Sequence, residues 1–117
     1  MILNRGDTTM SLEPQAAYEA VVSEMIATSS TTSGKMFGMP CLKNSNGKAF
    51  AGYSEGTMVF KLGGTSHADA LALSGARLFD PSKRGRPMKE WVVVPIEHVS
   101  RWPEFARDAF DYVANKK

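Results

Sequence analysis

The run Trp91-Val92-Val93-Val94, closed by Pro95, constrains this chain more than any other stretch. Aromatic and β-branched side chains favour an extended strand, and a proline next in line cannot donate to a ladder, so the strand stops there. Upstream, Pro81 and the Gly85–Pro87 stretch forbid regular structure before Met88. Lys83, Arg84, Arg86 and Lys89, the only dense cation cluster, therefore sit on a bent loop that feeds the strand. A cationic loop held by a buried strand is the feature that stands out as a candidate site.

The rest of the chain is read around that strand. Residues 1–10 show no periodicity and form an expected flexible tail, with residues 11–117 as one domain. Ser11 is an expected N-cap, and Tyr18, Val21, Val22, Met25 and Ile26 recur at helical spacing. The Ser/Thr run from Ser29 to Ser33, with Gly34, is expected to end that helix. Met36, Phe37, Met39, Cys41 and Leu42 predict a first strand that contains Gly38. Asn44-Ser45-Asn46-Gly47 predicts a turn, Lys48–Tyr53 a second strand, Ser54-Glu55-Gly56 a turn and Thr57–Leu62 a third strand. Thr65 or Ser66 can cap a short helix through Leu73, which Gly75 stops. Arg77–Phe79 and Lys89–Val94 predict strands four and five. Ser100 is expected to cap a final helix, with Trp102, Phe105, Ala106, Ala109, Phe110 and Val113 as its buried stripe.

The expected fold is α+β, a five-stranded antiparallel sheet with flanking helices in the order α-β-β-β-α-β-β-α. Met36, Phe37, Val59 and Val92 place apolar side chains on both strand parities. That predicts a homodimer in which the second face of the sheet is shared or covered.

Composition removes several function classes. With 117 residues and 43% hydrophobic content, the chain suits one core, and a net charge of +2 is too small to argue for nucleic acid. The single cysteine, Cys41, excludes an internal disulfide, and with no visible signal peptide a reducing cytoplasm is expected. No apolar run approaches the ~20 residues needed to cross a bilayer, so no membrane role is expected. His67 and His98 lie too far apart for a metal-ligand spacing, and no metal or cofactor is expected.

Other candidate groups read as ordinary. Cys41 has no neighbour in sequence to activate its thiol and reads as a small buried hydrophobe. His67 and His98 read as surface histidines. Asp69, Asp80, Glu90 and Glu97 show no paired spacing for acid–base work, and no catalytic residue is assigned. Gly63-Gly64-Thr65-Ser66 precedes a helix but lacks the spacing of a phosphate loop. The cations from Lys83 to Lys89 suit an anionic surface, whereas a solvated loop whose arginines pair with Asp80 or Glu90 is the alternative.

Lys35-Met36-Phe37-Gly38, Gly47-Lys48-Ala49-Phe50-Ala51 and Met58-Val59-Phe60-Lys61-Leu62 resemble blocks of the N-terminal domain of the TfoX/Sxy competence regulators. Gly75-Ala76-Arg77-Leu78-Phe79, Gly85-Arg86-Pro87-Met88 and Val94-Pro95 continue the resemblance, in the same order, across residues 15–115. Met39 stands where the family often has a second glycine. Many of its regulators also continue into a helical second domain, so the resemblance is to a stand-alone first domain. It implies an antiparallel α+β domain with a non-enzymatic regulatory role around bacterial transcription or DNA uptake. The functional expectation is a small regulatory or adaptor domain that binds a protein partner through Lys83, Arg84, Arg86 and Lys89. The alternatives are nucleic-acid binding through the same loop, which the low charge disfavours, and an enzyme with an unrecognised pocket.

Overall fold

The computed structural model describes residues 13–36, 38–80, 85 and 87–115. The expected tail (residues 1–10) and the expected cap Ser11 lie outside the described residues. Helix α1 spans Pro14–Thr28, and a hairpin series follows as β1 (Thr31–Met36), β2 (Met39–Asn44), β3 (Ala49–Ser54) and β4 (Thr57–Lys61). Helix α2 (Gly64–Leu71) leads to β5 (Arg77–Phe79) and β6 (Met88–Val94). A 3-10 segment, Ile96–Arg101, then turns the chain into helix α3 (Trp102–Ala114). The strands form one antiparallel sheet in the order β1-β2-β3-β4-β6-β5.

The architecture is the expected α+β class, but the sheet has six strands rather than five. The expected first strand is a hairpin in its own right. Gly38 has φ +76°, a left-handed backbone that reverses the chain, so Met36 pairs with Met39 across the turn. The Ser/Thr run does more than end α1. Thr31, Thr32 and Ser33 pair with Asn44, Lys43 and Leu42 as the edge strand of the sheet, where β-branched threonines fit. The element order is therefore α-β-β-β-β-α-β-β-α.

All three helix starts differ from expectation; at α2 Gly63 takes the N-cap position with no side-chain cap, and Thr65 and Ser66 lie inside the helix. Glu13 takes the N-cap position of α1 in extended backbone, forced there by Pro14 at the first helical position. Ser100 does not cap α3: it lies inside the 3-10 segment, and α3 begins at Trp102 with Pro103 in its first turn. Arg101 and Glu104 clasp this start, with Nε to Oε1 at 2.7 Å.

The sheet divides its side chains between two apolar layers. Leu42, Ala51, Phe60 and Val92 are register partners and face the helices, packing with Tyr18, Val21 and Met25 of α1. Trp102, Phe105, Ala106, Ala109 and Val113 of α3 close this core, while Phe110 of the same expected stripe is only partly buried against it. Each fully buried Val, Leu or Phe side chain contributes about 1.5–3 kcal/mol. A bulge between Leu42 and Lys43 leaves Phe50 as the extra residue of β3. Phe50 and its neighbour Ala51 consequently share the helix-facing core, and Phe50 meets Phe110 edge-on at 5.4 Å.

On the other face, Met39, Val59, Phe79, Trp91 and Val93 form a smaller cluster, with Met36, Ala49 and Met88 against it. Val92 belongs to the main core and its neighbour Val93 to this cluster. Val59 is fully buried and Trp91 is 6% exposed within a single chain.

Candidate functional site

The cationic loop leaves the sheet between β5 and β6. Lys83, Arg84 and Arg86 lie outside the described residues; Asp80, Gly85 and Lys89 lie within them. At the first root, the Gly85 N–H donates to Asp80 Oδ2 at 3.0 Å. Gly85 has φ +76°, open to a glycine at no steric cost, and this geometry ties the loop back on its own start.

The second root is held from three sides. His67 Nε2 donates to the Lys89 carbonyl at 2.8 Å, and the Leu62 N–H to the Glu90 carbonyl at 2.8 Å. The Tyr112 hydroxyl donates to Glu90 Oε2 at 2.7 Å, while Lys61 Nζ stands 3.6 Å from Glu90 Oε1. Elements β4, α2 and α3 thereby converge on two successive residues of β6. The Lys89 side chain itself is exposed. Among the sequence-predicted site residues, Lys89 is the one whose position can be given.

Several residues weighed in the sequence acquire definite jobs. Gly63 lies under the Tyr112 ring, so closely that a Cβ there would overlap it. The glycine at this point allows the ring to reach Glu90. Ser66, at the start of α2, donates to Asp108 Oδ2 at 2.8 Å, so the Gly63–Ser66 stretch ties α2 to α3. His98 is half-buried rather than a free surface group: its Nε2 donates to the Ser74 carbonyl at 2.8 Å. Cys41 is fully buried between register partners Gly34 and Gly52, and burial pushes its thiol up against the opposing pull of Lys43. Met25 and Met58 are fully buried packing residues. Among the described residues no group of His, Cys, Asp and Glu side chains could hold a metal ion, and no helix is long and apolar enough to cross a membrane.

A second feature escaped the sequence reading. A cavity of about 470 Å³ lies between the start of α1 and the ends of β2 and β3. Tyr18 and Tyr53 line it, with ring centroids 5.2 Å apart and planes at 29°. The Tyr18 hydroxyl is buried and has no hydrogen-bond partner among the described residues. Burial, with a smaller push from Cys41, raises this phenol to about 12. Tyr18 was legible as a helix core position; its pairing with a tyrosine on a distant strand was not.

No family model, curated protein or solved structure matches the chain.

Proposed function

We propose that the protein is a small regulatory or adaptor domain that binds an anionic surface of a protein partner through the loop bearing Lys83, Arg84, Arg86 and Lys89. The observation that supports this reading is the anchoring of both loop roots. Asp80 ties the first root through Gly85, and His67, Leu62 and Tyr112 fasten the second at Lys89 and Glu90. A loop fixed at its ends loses less entropy on meeting a partner than a slack one. Arginine forks match carboxylates in pairs, which fits an acidic protein surface. The resemblance of the sequence blocks to the TfoX/Sxy N-terminal domain points the same way, to regulation rather than chemistry.

Affinity capture from a bacterial lysate tests this. The parent and the variant Arg84→Ala with Arg86→Ala are compared at low and moderate salt, with duplex DNA titrated in parallel. The reading expects a protein retained by the parent and lost from the double variant. DNA binding with a steep salt slope and no retained protein would move the loop to nucleic acid and defeat the reading.

A further inference from the structure

The Tyr18–Tyr53 cavity lies at the other end of the sheet from the cationic loop. The loop springs from Phe79 and Met88, whereas Tyr53 pairs with Met58, which in turn pairs with Val94 at the far end of β6. Nothing in the loop reading uses the cavity. Its volume of about 470 Å³ falls within the roughly 300–1,000 Å³ of small-molecule sites.

Its chemistry is one-sided. The stacked tyrosines present π faces, Met39 and Pro40 add apolar surface, and Glu19 stands at the rim one helical turn from Gln15. Gln15 Nε2 reaches Glu19 Oε2 at only 3.4 Å, a weak bond that leaves the carboxylate able to take a stronger donor. Among the described residues that line the cavity, Glu19 and Glu55 are the charged ones. Tyr18 is 6% exposed, and its hydroxyl oxygen finds no donor among the described residues. The Glu19 carboxylate would repel an anion, and a neutral apolar ligand would leave that carboxylate unserved. A cationic head with N–H donors answers both the aromatic rings and the carboxylate.

We propose that this cavity binds a small organic cation, an alkylammonium or alkylguanidinium. Its head lies against the Tyr18–Tyr53 pair and Glu19, and its stem along Met39 and Pro40.

The experiment is a titration of the full chain with agmatine and with cadaverine, followed by calorimetry and by the ring resonances of the tyrosines. Pentanediol serves as the neutral counterpart of cadaverine. The expected result is saturable binding that shifts the Tyr18 and Tyr53 ring signals, with pentanediol weaker by at least about threefold, the lower range of a cation–π contact. Glu19→Gln, at an exposed helix position that leaves the melting temperature in place, should weaken agmatine by about two- to fivefold. Tyr53→Leu should weaken it by about three- to thirtyfold. Lack of saturation at about 10 mM of either amine, weaker than any useful site, overturns the proposal. So does equal binding of pentanediol, an unchanged affinity in Glu19→Gln, or shifts confined to other residues. An acetylated arginine amide that binds more tightly than agmatine would move the ligand to a peptide side chain and overturn the small-molecule assignment.

Discussion

Tyr18→Phe removes one oxygen and keeps everything else the ring does. The ring stays buried in the helix-facing core and stacked on Tyr53 at 5.2 Å. The oxygen that leaves has no partner among the described residues, so no hydrogen bond is given up. A buried unsatisfied polar group costs about 1–3 kcal/mol, partly offset by the small void its removal leaves. The expected change is a gain of about 1 kcal/mol. For a chain of this size that raises the melting temperature by about 3–6 °C. A second signature follows from the phenol itself, raised from 10.0 to about 12 by burial. The folded chain holds that proton after the unfolded chain has lost it. Its contribution to stability is therefore full below pH 10 and declines as pH rises from 10 towards 12. The Tyr18→Phe variant should lack that part of the alkaline decline. Thermal and urea melts at neutral pH, repeated at pH 9, 10 and 11, read both effects. A loss of 1 kcal/mol or more in Tyr18→Phe, with an unchanged alkaline slope, would mean that the hydroxyl is satisfied and refute the reasoning.

Substitutions at three further positions probe the frame. Phe105 is fully buried, tilted against Phe60 at 5.8 Å and covered by the Arg101 guanidinium at 4.9 Å. Phe105→Ala should cost about 3–5 kcal/mol in urea melts, and an unchanged midpoint would detach α3 from the sheet. Asn44 Oδ1 accepts from the Asn46 and Lys48 N–H groups, each at 3.0 Å, and fixes the β2–β3 turn. Asn44→Ala should lose about 1–3 kcal/mol, whereas Asn44→Asp, which keeps the acceptor, should recover most of it. Glu55 stands at φ 51° beside Gly56 at φ 79°, a two-residue hairpin turn that asks for left-handed backbone at both positions. Glu55→Asn should raise stability by about 0.5–1 kcal/mol in thermal melts, and a fall would show that the Glu55 side chain contributes more than the backbone strain costs.

Periodicity made the C-terminal stripe legible, because α3 sets its apolar residues on one side and its charges on the other. Helix α1 was harder to read. Alanines and β-branched residues surround it, so spacing could not separate Ile26, which is 50% exposed, from buried Met25. Strand content was readable from β-branched runs, but strand number depended on one glycine. Gly38 fits either a strand interior or a left-handed turn, and only pairing of Met36 with Met39 decides between them. The apolar second face was visible as side chains on both parities. That Met39, Phe79 and Trp91 gather there from three separate strands was not. The candidate loop was visible as a charge cluster, while its anchors were hidden. His67, Leu62 and Tyr112 reach it from positions 22 to 27 residues away from Lys89 in sequence order. The tyrosine cavity was invisible for the same reason, as it joins residues of α1 and β3 through tertiary packing alone.

The central claim is that the cations of the β5–β6 loop serve recognition and not the loop's own support. The most direct measurement pairs thermal stability with affinity for the captured partner, in the parent and in Arg84→Ala with Arg86→Ala. The account predicts a midpoint within about 0.5 kcal/mol of the parent, a partner affinity lower by tenfold or more, about 1.4 kcal/mol, and further weakening with added salt. A clear loss of stability with unchanged partner affinity would contradict it and leave the loop as scaffold.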